Sequence, residues 1–258
     1  MITISNQKVG GFEPRWADFR GYSLLFDNPG DCLASSGPLL HLDNKVDTDP
    51  QLGFYSALNN SIAVIEREML IRSYLFCPLP PASYHVTVWD GGNAANVADV
   101  APLYRTVLEA QLEQLPSSLA EKNALTDLML ASSLADHRAE ITFRFDRLVK
   151  WGNSVLVARL MPSEESQIQF QELMALRSSL SAEFAELSGL TQSKRYTPHV
   201  SLGYFANEEA AQQATPCVDT WSESVREQVQ DQSLSFNSVS LYGFTDMAHF
   251  FKIGRDTR

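Results

Sequence analysis

Two short segments of this chain repeat one pattern, and that pattern restricts how each can fold. His85-Val86-Thr87-Val88 and His199-Val200-Ser201-Leu202 both read His, apolar, hydroxyl, apolar. Period-two alternation belongs to a strand, where successive side chains face opposite sides. His85 and Thr87 then share one face, and Val86 and Val88 share the other. His199 and Ser201 sit likewise against Val200 and Leu202. Each apolar face needs a core behind it. Each polar face presents an imidazole and a hydroxyl about 6.6–6.8 Å apart. The 258 residues make one large domain or two small ones, long enough to bury such a core.

The rest of the chain reads as alternating helices and strands. Residues 1–39 form an irregular lead-in with one strand at 21–27, and 28–50 read as a long loop rich in Pro, Gly, Asp and Asn. Leu52, Tyr55, Leu58, Ile62, Ile65 and Met69 recur at helical spacing, so 52–72 is a helix. Cys77 to Pro81 stops it and forces an extended path. A strand follows at 84–89, and Asp90-Gly91-Gly92-Asn93 reads as a turn. Residues 94–140 are a helical insertion with a break near Pro116. A hairpin at 140–162 turns at Trp151-Gly152-Asn153, and a long helix from Ser163 ends near Gly189. A strand at 196–205, helices over 207–230 broken at Pro216, and a final strand pair complete the order. FDRLVKWG at 145–152 and FNSVSLYG at 236–243 are faintly alike, which suggests two related lobes within one domain spanning 40–258.

Charge narrows the partners. Twenty Lys and Arg against 31 Asp and Glu give −11, so a long nucleic-acid duplex is repelled. A small anion remains possible where a few cations gather. No run approaches the roughly 20 apolar residues that cross a bilayer, and the first residues lack an apolar signal core. Three scattered cysteines form no disulfide framework. The expectation is a reduced, cytoplasmic protein with no membrane partner. Gly-rich phosphate loops, zinc spacings and a GxSxG elbow are absent, so no cofactor and no metal is expected. One rival is a metal enzyme, with His41-Leu42-Asp43 as part of an iron site.

The paired strands suit a phosphate. Side by side they offer two imidazoles and two hydroxyls around one tetrahedral anion. A histidine titrates near 6.5, so one can be neutral and the other protonated. The neutral ring takes a proton from water, the charged ring gives one to the leaving oxygen, and Thr87 and Ser201 bind the non-bridging oxygens. Lys194 and Arg195 lie just upstream of His199, within reach of a phosphate or simply solvated. Strand parity puts Trp89 on the face of His85, where it can stack on a base, while Tyr84 and Tyr204 fall opposite their histidines. Tyr196 is a second residue that can stack, and core packing is the other role open to these aromatics. Arg159 is either an edge charge or a cation of the cleft.

Together, HVTV and HVSL about a hundred residues apart resemble the 2H phosphoesterase superfamily. The approach PLPPASYHVTVWDGGN is similar to a bacterial branch catalogued as a domain of unknown function. The resemblance implies an α+β bilobal fold with two pseudo-symmetric lobes, each an antiparallel sheet with flanking helices, around a central cleft. It implies metal-independent hydrolysis of a cyclic or small nucleotide-derived phosphodiester, of the 2′,3′-cyclic phosphate type. His85 and His199 would be the catalytic pair, and Thr87 and Ser201 the phosphate-binding hydroxyls. The substrate would be a small phosphodiester or an RNA end. The alternative is a non-catalytic module that binds a nucleotide or RNA end in the same cleft.

Overall fold

The computed structural model describes residues 3–11, 15–65, 67–121, 123–152, 154–193 and 195–254. In chain order the strands are β1 (Val9–Gly11), β2 (Arg15–Trp16), β3 (Gly21–Phe26), β4 (Leu33–Ser36) and β5 (Leu39–Leu42). Helices α1 (Gly53–Val64) and α2 (Arg67–Tyr74) lead to β6 (Phe76–Pro78) and β7 (Thr87–Asn93). Then come α3 (Pro102–Glu113), α4 (Ala124–Ala131), β8 (Ile141–Trp151), β9 (Val155–Pro162) and α5 (Gln167–Ser188). The last elements are β10 (His199–Phe205), α6 (Glu208–Ala214), α7 (Val218–Val229), β11 (Leu234–Phe236), β12 (Val239–Phe244) and β13 (Phe250–Ile253).

Two antiparallel sheets carry the two lobes. One runs β4-β5-β13-β12-β3-β7 and the other β11-β8-β9-β10-β6. An isolated antiparallel bridge, Val86 to Val200, joins them. Behind that seam Phe26 of the first sheet stacks on Phe236 at 4.6 Å and meets Phe143 at 5.7 Å, both from the second. Aromatic contact of this kind adds to the burial that binds the lobes together. Helix α5 buries Leu173, Arg177, Leu180, Phe184 and Ser188, one face at three- and four-residue steps. It ends where Gly189 takes φ +80°, the left-handed cap that glycine adopts without strain. Helix α7 packs on β8, and its Ser222 hydroxyl accepts from Leu148 N at 3.0 Å. No helix of the described residues is long and apolar enough to cross a membrane.

The α+β bilobal architecture is the one expected, but three local expectations are corrected. Residues 1–39 are not a lead-in with one strand: they supply β1 to β4, and β3 is wholly buried between β12 and β7. Burial on both faces explains why GYSLLF lacks polar alternation. The 28–50 loop contains the β4–β5 hairpin, so a boundary at residue 39 would cut it. Asp90 to Asn93 is strand, not turn. A Cβ on Gly91 would lie 2.3 Å from the Tyr22 carbonyl oxygen, so that glycine permits close approach. The faint repeat falls on β8 and β12, each the third strand counted from its sheet's histidine strand.

Candidate active site

The bridge at Val86 and Val200 is the centre of the site. In that antiparallel register His85 stands opposite Ser201, and Thr87 opposite His199. Opposed residues in such a pair point to one face. All four side chains therefore leave the seam on the side away from the two valines. They line one cleft of about 920 Å³. His85 lies just before β7, after the short turn Pro81–Ser83, while His199 opens β10. Pro198 precedes that strand and gives its carbonyl to Leu160 N at 2.9 Å, so its missing N–H is not needed.

Each imidazole is held by the same two devices. His85 Nδ1–H donates to the Ser83 carbonyl at 2.8 Å, and His199 Nδ1–H to the Thr197 carbonyl at 3.0 Å. A carbonyl only accepts, so the proton sits on Nδ1 and Nε2 is left to act on a ligand. Phe250 flanks the His85 ring at 4.2 Å between centroids, and Trp151 flanks His199 at 4.3 Å. Loss of solvent pulls both histidines down to about 4 against the pull of those carbonyls. His199 and, less, the Lys8 ammonium lower His85 further while Asp90 opposes them, and Lys8 also lowers His199. With pKa values near 4 both rings are neutral at pH 7, where one charged and one neutral were expected.

The structure moves Trp89 out of the cleft and Tyr204 into it. Leu24 pairs with Trp89 but Leu25 pairs with Thr87, so Val88 is an extra residue in β7. That bulge inverts the faces beyond it. Trp89 is fully buried, donates Nε1–H to the Ser181 hydroxyl at 2.9 Å, and meets Phe184 edge-on at 4.7 Å. It is a core residue and cannot stack on a base. Strand β10 has the matching bulge at Leu202, between the pairs Ser201–Val157 and Gly203–Leu156. Tyr204 therefore lines the cleft, as does Asp90 at the equivalent place in β7.

Tyr196 and Arg195 stand beside the cleft, in a smaller pocket of about 430 Å³ that also touches Thr87 and His199. The Tyr196 hydroxyl donates to the Thr87 carbonyl at 2.9 Å, and its ring lies under the Arg177 guanidinium at 4.1 Å. Arg195 is exposed. Arg159 lines the same pocket but is paired with Asp146 at 2.6 Å. Lys194 lies outside the described residues. His41 sits on β5 with its ring 5.9 Å from Phe251. Among the described residues no three His, Cys, Asp or Glu side chains gather as a metal-holding group.

Sequence reasoning missed Lys8, Trp151 and Phe250. Trp151 reads as part of the hairpin turn, whereas it closes β8, and Phe250 is one of two adjacent aromatics. Lys8 had no local signal. Its segment crosses from lobe to lobe: Ser5 N donates to the Ala206 carbonyl at 2.9 Å, and Phe19 N to the Thr245 carbonyl at 3.0 Å. Between those ties the Lys8 ammonium rests 4.9 Å from the ring centres of Phe19 and Tyr204, inside the cleft.

A model of the 2′-5′ RNA ligase superfamily matches residues 71–243, more than half of the chain and both histidine strands. Among curated proteins none matches. A conserved protein of unknown function from Agrobacterium tumefaciens str. C58 aligns over 93% of this chain and 87% of its own, at 14% identity and a TM-score of 0.48. LigT from E. coli in apo form aligns over 93% and 96%, at 13% identity and 0.41. Usb1 from Kluyveromyces marxianus aligns over 92% and 98%, at 10% identity and 0.41.

Proposed function

The chain belongs to the 2′-5′ RNA ligase superfamily, the 2H phosphoesterases, and from that premise we propose that it hydrolyses a 2′,3′-cyclic phosphate on a nucleotide or RNA end. The observation that carries this reading is the matched pair of Nδ1–carbonyl bonds, which leave an Nε2 on each side of one cleft. Water attacks phosphorus and gives its proton to one neutral Nε2. The P–O bond to the ribose breaks, and the other ring, protonated, gives its proton to the departing oxygen. A bound phosphodiester anion raises the proton affinity of a nearby imidazole, so ligand and proton arrive together. Thr87 and Ser201 donate to the non-bridging oxygens, and Lys8 balances their charge. Acid and base are both side chains, so the steps need no metal.

The test is hydrolysis of a panel of 2′,3′-cyclic nucleotides and cyclic-phosphate-ended oligonucleotides in EDTA. Wild type is run beside His85→Ala and His199→Ala. Turnover by wild type that both substitutions abolish is the expected result; turnover indifferent to either one overturns the paired mechanism. The depressed pKa of both rings supports a second reading, a cleft that binds such an end without cleaving it. Tight binding with the ligand recovered intact would favour it.

A further inference from the structure

β10 has neighbours on both sides, β9 and β6, whereas β7 closes the edge of its sheet. Beside β10 the backbone of β6 pairs with Gly203, Tyr204 and Phe205. At the matching stretch of β7 three side chains replace a strand. Tyr196 donates to the Thr87 carbonyl at 2.9 Å, Arg177 Nε to the Val88 carbonyl at 2.5 Å, and Gln192 to the Asp90 carbonyl at 2.7 Å. They satisfy the bulged edge but do not fill the space a strand would occupy. What remains is the 430 Å³ pocket, which shares Thr87, Asp90, Trp151, Gln192 and His199 with the main cleft.

Its charges are unusual for so acidic a chain. Arg177 lines it and is only 8% exposed. Among the described residues no carboxylate is in ion-pair contact with its guanidinium, although Asp90 acts on it from a distance. Arg195 stands exposed at the same pocket, and Arg159 is already paired with Asp146. Buried cations are ordinarily paired, because an uncompensated charge away from water is costly. An anion entering the pocket would supply the missing partner.

We propose that this side pocket is a second phosphate site, taking the phosphate next to the scissile one, so that the preferred substrate carries at least two phosphate groups. The proposal rests on the phosphodiesterase reading of the main cleft. The second phosphate is either the neighbouring internucleotide link or a terminal 5′-phosphate, and both offer the same tetrahedral anion to Arg177 and Arg195.

Two substrate pairs test it. One is a cyclic-phosphate-ended dinucleotide with a natural link or an uncharged methylphosphonate link. The other is a cyclic mononucleotide with or without a 5′-phosphate. In at least one pair wild-type kcat/KM should be about tenfold or more higher for the charged member, the scale of a hydrogen bond to an ion. The responding pair identifies the source. Arg195→Gln and Arg177→Lys should each bring that ratio towards one; Arg195, being exposed, keeps the test open if Arg177→Lys fails to fold. Equal kcat/KM within both pairs overturns the site, and so does a charge preference that survives both substitutions. Equilibrium binding of the same four compounds is measured in parallel. Charge-dependent binding without turnover retains the second site and sinks the hydrolytic reading. Charge-blind binding, or none, overturns the site itself.

Discussion

β7 and β10 approach the cleft from opposite lobes with the same local devices. Each has a histidine tied through Nδ1 to the carbonyl two residues back, an aromatic ring beside the imidazole, and a bulge one residue past the hydroxyl. Their supports differ. β10 lies between two strands and is held by backbone hydrogen bonds on both sides. β7 is an edge strand whose outer carbonyls are held by Tyr196, Arg177 and Gln192. A strand at the first edge leaves no room, while side chains at the second leave a pocket. The comparison teaches that the side chains of a paired site can be held alike while their access differs.

The largest expected effect tests the symmetric half of that comparison. His85→Ala and His199→Ala should each reduce kcat by roughly 10²–10⁴-fold, the range of one general acid or base. A loss confined to one of them would break the equivalence of the lobes at the chemical step. Next, Thr87→Ala and Ser201→Ala should each cost about 10²–10³-fold in kcat, as for one donor to a developing oxyanion. No change in either would remove that hydroxyl from the mechanism.

Smaller effects probe the supports. Gly203→Ala should destabilise the fold by about 1–3 kcal/mol, since overpacking against backbone relaxes poorly. Its Cβ would lie 2.4 Å from the Cys77 carbonyl oxygen of β6. Tyr196→Phe, at the side-chain-held edge, should cost about 1 kcal/mol, one hydrogen bond to Thr87. Denaturant unfolding of the two variants, read side by side, measures how differently the strands are held.

The last test is in pH. Folding lowers both histidines to about 4, below the unfolded value near 6.5. The unfolded chain then binds more protons between those values. The contribution is whole above 6.5 and is lost as pH falls towards 4. Thermal unfolding at pH 7 and pH 5 should show that loss, and a His85→Gln, His199→Gln double variant should lessen it. In kinetics, kcat/KM reports the free rings and kcat the complex, so the bell for kcat should lie at higher pH. Coincident bells would mean that substrate does not restore the proton.

Much of this was legible because it is local. HVTV and HVSL show their period, their hydroxyls and their resemblance to each other without any tertiary information. The long helix shows its cap at Gly189, and the 140–162 hairpin shows its turn. Parity failed just beyond each motif, at Trp89 and Tyr204. A bulge leaves no mark in composition: Val88 and Leu202 look like any strand residue, and only the partner strand's register exposes the extra one. Asp90 to Asn93 misled for a related reason, since glycine serves a turn and a close approach equally well. Phe250 and Trp151 carry no local signal of their place beside the imidazoles, which only the pairing of their strands sets.

The sequence alone determined the two alternating strands, the four polar side chains they present and the helices that cover them. These follow from covalent geometry and hydrophobic period, which act over a few residues. The tertiary structure decided the rest: the register that sets His85 opposite Ser201, the lobe-crossing path that brings Lys8 into the cleft, and the open edge of β7. It also decided where the rings titrate, because burial rather than residue type sets how far each imidazole is pulled down.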